Sequence, residues 1–297
     1  MIYINKLTLP SLDSDNIINN KLNYIHRSAY PFHVLSYRGL FEVEFDDITI
    51  ITGGNGSGKS TLLNVIAQKL GLRRPTPFNK TEYFDHYLRL CSIKLSDIAY
   101  QLSTDIKEYG RIITSDEVFD HLIDTRLRND EIDDRRKKMC EEIDALREAP
   151  MQTFIDFSNP ESIRSYSRQS EARRKTKSKY IKDNLGFNVA ENSNGESAFK
   201  FFTEAIKSHG LYLLDEPENS LSAEKQIDLS HWIASMARYE RCQFIISTHS
   251  PFLMSTPGAK LYNLDVYPAS TMKWTEVASV KTFYNFFKEH EEEFLLT

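Results

Sequence analysis

The octapeptide GGNGSGKS, Gly53 to Ser60, constrains this chain more than any other feature. The apolar run ITII stands two residues before it, and TLLNVIAQKLG follows it directly. Glycines at 53, 54, 56 and 58 open backbone conformations that a Cβ would forbid. A buried strand can therefore turn sharply into a helix, with amide N–H groups converging where the helix's positive end lies. Leu62, Leu63, Ile66, Ala67 and Leu70 share one face of that helix and give it a sheet to pack on. The fold class expected is α/β with a mixed or parallel sheet core.

The octapeptide also fits G-x-x-x-x-G-K-[ST] in its strand–loop–helix context, the arrangement of a phosphate cradle. The expected nucleotide contacts are Gly53, Gly54, Asn55, Gly56, Ser57, Gly58, Lys59, Ser60 and Thr61. Backbone amides would surround phosphate oxygens, Lys59 would meet the β and γ phosphates, and the Ser60 hydroxyl would sit on Mg²⁺. An ordinary glycine-rich turn is the bland alternative.

Downstream, LYLLDEPE ends an apolar strand in acids. A buried strand in a parallel sheet delivers such residues to the sheet edge, where ligands bind. Asp215 is expected to serve Mg²⁺, and Glu216 to orient and deprotonate an attacking water. His249 follows a second apolar strand, QFIISTH, and could reach the γ phosphate or the water through a neutral ring nitrogen. Taken alone, a histidine at a strand end is more often a packing or turn residue.

Composition narrows the class. The 297 residues carry 37 Lys and Arg against 42 Asp and Glu, a net charge of -5 that argues against attachment to nucleic acid or anionic membrane by overall charge. Yet residues 161–183 hold eight basic residues against three acidic ones, which leaves a local basic surface in play. Three widely spaced cysteines, Cys91, Cys140 and Cys242, support neither a disulfide framework nor a structural zinc site. No long apolar run and no basic-then-apolar leader occurs, so a cytoplasmic location without membrane contact is expected.

Strands are expected over Ile2–Leu9, at FEVEF, at ITII, at LYLLDEP, at CQFIIS and at YNLD; helices at ESAFKFFTEAIKSHG, EKQIDLSHWIASMARYER and FYNFFKEHEEEFLL. Residues 73–110 show no clear periodicity, and 116–149 suggest one or two charged helices with a thin apolar stripe. We expect one domain over 1–297 with a helical, basic insertion over approximately 105–190.

Taken together, Gly53–Thr61, Leu211–Glu216 and His249 resemble the Walker A loop, Walker B strand and switch histidine of soluble ABC-type ATPases. These P-loop NTPases are related to the heads of chromosome-maintenance and DNA-repair ATPases and to ATPases of bacterial antiviral defence. Ser193, Asn194, Gly195 and Glu196 resemble the family's signature, with Asn192 where leucine is usual. Asn219, Ser220, Leu221 and Ser222 resemble the D-loop, with Ser222 where transporters carry aspartate. Between Walker A and the middle helices, Gln101 is the one candidate for a Q-loop residue.

The resemblance implies ATP and Mg²⁺ as cofactors and catalysis by Glu216, His249 and Lys59. It also implies a head-to-tail homodimer or higher assembly in which the signature of one subunit completes the partner's nucleotide site. The basic residues Arg168, Arg173, Arg174, Lys175, Lys177 and Lys179 are candidates for contact with nucleic acid or an effector protein such as a nuclease. A solvated helix without a partner is the competing account of that run. Two alternatives at the level of function are an ATP-gated sensor of very slow turnover and the energy subunit of a transporter.

Overall fold

The computed structural model describes residues 2–14, 30–97, 110–150, 159–184 and 194–295. The chain divides into two compact units, Met1–Phe119 with Asn194–Thr297, and Asp120–Ser193. The strands are β1 (Ile4–Thr8), β2 (Glu42–Glu44), β3 (Ile48–Thr52), β4 (Ser92–Leu95), β5 (Arg111–Thr114), β6 (Leu211–Asp215), β7 (Gln243–Ser247), β8 (Lys260–Asn263) and β9 (Ser270–Thr271). The helices are α1 (Lys59–Leu70), α2 (Phe84–Leu90), α3 (Ser115–Glu148), α4 (Pro160–Arg174), α5 (Lys177–Asn184), α6 (Asn194–Ala205), α7 (Ala223–Tyr239), α8 (Pro251–Met254), α9 (Ala278–Glu289) and α10 (Glu291–Leu295).

The first unit is built on a six-stranded sheet of order β5-β6-β7-β3-β8-β9. Its first five strands run parallel, and β9 pairs antiparallel at the edge. Strands of a parallel sheet are covered on both faces, which is why β3 and β7 are buried at all five positions and are mostly apolar, with Thr49, Thr52, Gln243 and Ser247 as the buried polar exceptions. Thr114 of β5 pairs with Asp215 of β6, and Asp215 with Ser247 of β7. That register brings the carboxyl ends of three strands level beside the end of β3, where the glycine loop begins. Helix α1 buries Leu62, Leu63, Val65, Ile66 and Ala67, and Gly71 in the left-handed region stops it.

A second, antiparallel sheet of order β2-β1-β4 is tied to the first by side chains of β8 and β7, the Tyr262 hydroxyl accepting from the Glu44 N–H at 3.1 Å and donating to the Glu44 carbonyl at 3.2 Å. The Gln243 amide, fully buried, accepts from the Tyr3 and Ile4 N–H groups at 2.8 and 2.9 Å. It donates to the Ile4 and Asp46 carbonyls at 2.9 and 3.1 Å.

The helical unit is held by polar clamps more than by a core, in keeping with the thin apolar stripe of α3. Arg147 donates to the Ala172 and Lys175 carbonyls, both at 2.8 Å, and Gln169 to those of Ala149 and Pro150. Lys177 meets Asp144 at 2.6 Å, while Ile143 and Ala172 are fully buried.

The mixed α/β architecture is the one expected, with several local differences. Residues 115–148 form one helix, and the terminal stretch breaks into α9 and α10. Helix α6 ends at Ala205, ahead of Gly210, which instead stands at the entrance to β6. Strand β5, absent from the expected elements, is the strand that flanks β6. The helical unit begins at Asp120 rather than near 105, because β5 and the first turn of α3 belong with the sheet.

Candidate functional site

The loop between β3 and α1 takes positive φ at Gly53 (152°), Gly56 (74°) and Gly58 (102°). At Gly58 the need for glycine is double, since a Cβ there would stand 2.9 Å from both Leu35 and Val34. Lys59, at the head of α1 and 4% exposed, folds back over the loop. Its ammonium donates to the Gly53 carbonyl at 2.9 Å, the Gly54 carbonyl at 3.2 Å and His249 Nε2 at 2.7 Å. The charged donor requires that nitrogen as acceptor, which puts the imidazole proton on Nδ1. Burial lowers the Lys59 pKa, opposed by the nearby Glu216 and Asp215 carboxylates.

At the next residue of the helix, Ser60 Oγ donates to Asp215 Oδ1 at 3.0 Å, and Ser247 Oγ donates to the same oxygen. Burial raises the Asp215 pKa; the hydrogen bonds from Ser247 and Ser60 and the charge of Arg74 work the other way. Glu216 sits in the left-handed region at φ 49° and ψ 55°, which turns its side chain out of the strand. Its Oε1 lies 3.3 Å from His249 Nε2 and 3.8 Å from Lys59 Nζ, and Asn219 Nδ2 donates to its Oε2 at 3.2 Å. Lys59, Ser60, Asp215, Glu216 and His249 are thus brought together at one point from three different strand ends.

A cleft of about 290 Å³ opens on this point, lined by Tyr30, Val34, Asn55, Gly56, Ser57, Gly58, Lys59, Ser60, Thr61 and Glu216. Tyr30 is tied in by a 3.2 Å hydrogen bond from its hydroxyl to Thr61. The donor set suits a polyphosphate: positive-φ glycines that allow close approach, a helix N-terminus, and a lysine. The Ser60 hydroxyl and Asp215 carboxylate suit a hard cation. Among the described residues no cluster of three or more His, Cys, Asp or Glu could hold a metal, so Mg²⁺ would take its remaining oxygens from phosphate and water.

The other expected residues lie elsewhere. Ser193 falls outside the described residues, as do Asn192 and Gln101. Asn194, Gly195 and Glu196 open α6, away from the cleft lining. There Gly195 packs on the segment Ser220–Ser222, a Cβ on it standing 3.6 Å from the Ser222 N and 4.0 Å from the Ser220 carbonyl. Ser222 caps α7, and Leu221 is buried. In the helical unit Arg168, Arg173, Arg174 and Lys179 are exposed, while Arg173, Lys175 and Lys177 have partners within the unit in Ala149, Glu171 and Asp144.

Four contributors escaped the sequence reading. Ser247 holds Asp215. Glu218, whose pKa burial raises, accepts the His249 N–H at 2.7 Å and fixes the histidine's backbone. Arg74, bound to Asn64 at 2.5 Å, directs its charge toward Asp215. Asp265 accepts the Gly54 N–H at 2.8 Å on both carboxylate oxygens. Only Ser247 carried a usable signal, its place two residues before His249 at a strand end.

Residues 180–255 match the family model described as "AAA domain, putative AbiEii toxin, Type IV TA system". No curated protein matches the chain significantly. Among solved structures, the Smc head domain with an extended coiled coil bound to the C-terminal domain of ScpA, from Pyrococcus furiosus, aligns at 15% identity with a TM-score of 0.43, over 98% of this chain and 100% of that one. "An inward-facing conformation of a putative metal-chelate type ABC transporter" aligns at 16% identity and TM-score 0.41, covering 97% and 90%. The SMC head domain from Thermotoga maritima aligns at 13% identity and TM-score 0.39, covering 92% and 99%. With the loop, strand and histidine geometry above, the family match marks a P-loop ATPase-like domain in this chain.

Proposed function

We propose that this P-loop ATPase-like domain binds MgATP and hydrolyses it, and that the cycle controls a partner macromolecule. The observation that carries the reading is the convergence of Lys59, Glu216 and His249 within 3.8 Å of one another beside the Ser60–Asp215 pair. The nucleotide would supply the γ-phosphoryl group transferred to water, with Mg²⁺ offsetting its charge. The loop amides and Lys59 bind the phosphates, Lys59 exchanging its loop carbonyls for phosphate oxygens. Ser60 and Asp215 hold the cation. Glu216, oriented by Asn219, takes a proton from the attacking water.

Coupling to a second copy is supported by the link between the D-loop and the base. Asn219 donates to Glu216, while Ser220 and Ser222 abut Gly195 of the signature. A subunit docking on that surface would therefore act on the residue that handles the water. The partner is proposed to be an effector protein. The exposed Arg168, Arg174 and Lys179 offer it, or a nucleic acid, a cationic face.

The test is phosphate release with MgATP by the wild type and by the Glu216→Gln and Lys59→Ala variants. Glu216→Gln is expected to bind ATP and lose turnover by about 10² to 10⁴-fold, and Lys59→Ala to lose binding. Turnover by Glu216→Gln at the wild-type rate overturns the base assignment.

A further inference from the structure

One peptide unit of the loop, that between Gly53 and Gly54, is held by opposite charges at its two ends. Its carbonyl oxygen accepts from Lys59 Nζ at 2.9 Å. Its N–H donates to Asp265, 2.8 Å from each carboxylate oxygen. The anion and the cation polarise the amide in the same sense, which strengthens both hydrogen bonds.

Asp265 is itself held in place. The Leu264 N–H donates to the Thr52 carbonyl at 2.8 Å, continuing the β3–β8 pairing. The Asp265 N–H then donates to Asn263 Oδ1 at 2.8 Å and turns the carboxylate back toward the loop. The negative charge of Asp265 also acts on Lys59, favouring its protonated form. Glycines flank the peptide on both sides, and glycine lacks the steric barrier that keeps other residues from rotating a peptide plane. Without an anchor, this peptide could turn its carbonyl away from Lys59.

We propose that Asp265 is a positioning residue that locks the Gly53–Gly54 peptide so that Lys59 and the following loop amides are pre-arranged for polyphosphate. Its action runs through the peptide and not through contact with the nucleotide. The inference rests on the nucleotide reading of the site for its effect on binding, and on the loop geometry alone for the lock. Removing the carboxylate loses a charge-assisted hydrogen bond, so nucleotide binding weakens about tenfold. Turnover at saturation changes less, because Glu216, His249 and Asp215 stay where they are.

The experiment uses the full chain with ¹⁵N-labelled glycine, which gives at most eleven amide signals. Gly54→Ala identifies the Gly54 signal by its disappearance; its Cβ would make only ordinary contact, 3.5 Å from Asp265 Oδ1. Asp265→Ala is expected to move the Gly54 amide proton upfield and speed its exchange at least about tenfold, with Asp265→Asn, which keeps one acceptor, falling between. MgATP dissociation constants and the KM-against-kcat split are measured on the same proteins. A Gly54 signal unmoved in both variants overturns the lock. A signal that moves while MgATP affinity stays within twofold overturns the positioning role. Failure of the wild type to bind MgATP overturns the nucleotide reading instead, and the amide signal then decides the lock by itself. Should Asp265→Ala fail to fold, Asp265→Asn carries both readouts.

Discussion

Lys59 Nζ lies 2.7 Å from His249 Nε2, so the lysine of the glycine loop and the histidine after β7 share a hydrogen bond across 190 residues of sequence. Glu216 Oε1 stands 3.3 Å from the same ring nitrogen, which makes His249 the hinge between the phosphate-binding cation and the proposed base. His249→Ala leaves the loop amides, Ser60 and Asp215 in place but removes that hinge. Expected are MgATP affinity within about threefold of wild type and a kcat lower by about 10²-fold or more. Equilibrium binding and steady-state phosphate release check it; parallel losses in affinity and kcat would assign His249 to binding alone.

Asp215 carries a charge that burial disfavours, since its folded pKa is raised above the ordinary carboxylate value. Above the folded pKa its ionised form therefore costs stability. As pH falls through that value the group takes up its proton and the cost disappears. Asp215→Asn keeps an acceptor for Ser60 and Ser247 but carries no charge. It is expected to raise stability at pH 7 without nucleotide by about 1 kcal/mol, or roughly 2 to 4 °C in Tm, while abolishing Mg²⁺-dependent turnover. The gain should shrink as the pH is lowered. A variant that melts below wild type at pH 7 would show that the carboxylate's hydrogen bonds outweigh its desolvation.

What the sequence displayed of this site, and what it hid, divides along physical lines. Gly53, Gly56 and Gly58 were legible because positive φ demands glycine, and Asp215 and His249 because apolar strands lead into them. Strand β5 was not, because RIIT is four residues long and lies between an aperiodic stretch and a long helix, too short for a period to register. Asp265 and Gln243 act on backbone groups 211 and 240 residues away, and nothing local in the sequence records such a partner. The basic run gave its composition correctly, yet Arg173 and Lys177 spend their charge on Ala149 and Asp144 inside the unit. Charge along a sequence does not say which way a side chain turns.

Gly58 meets two constraints at once, a φ of 102° and side chains waiting where a Cβ would go. Gly58→Ala must push Val34 and Leu35 aside, and Val34 also lines the cleft. A loss of roughly 2 kcal/mol or more in stability is expected from strain and crowding together. MgATP affinity should fall as well, because the displaced loop no longer presents its amides to one point. Gly56→Ala makes the control: its φ of 74° is also strained, but its Cβ would meet nothing within 4 Å. Equal losses for the two variants, by thermal denaturation and nucleotide titration, would leave the contact with Val34 and Leu35 without a role.

Gln243 separates fold from site. It lies at the start of β7, while Ser247 and His249 lie at and beyond the strand's other end, and its amide serves only the backbone of Tyr3, Ile4 and Asp46. Gln243→Leu would leave two buried N–H groups without their acceptor and two carbonyls without their donor. Unsatisfied buried groups cost about 1 to 3 kcal/mol each, so a total of about 3 kcal/mol is a conservative expectation, or roughly 6 to 12 °C in Tm. Well below the melting point, KM for MgATP and kcat should match the wild type, because the carboxyl ends of β3, β6 and β7 remain in register. Gln243→Glu restores both acceptor contacts but loses the two donors and buries a charge, so it should not rescue stability. A Gln243→Leu protein melting within about 2 °C of wild type would mean that apolar packing and the Tyr262–Glu44 hydrogen bonds suffice to hold the two sheets together.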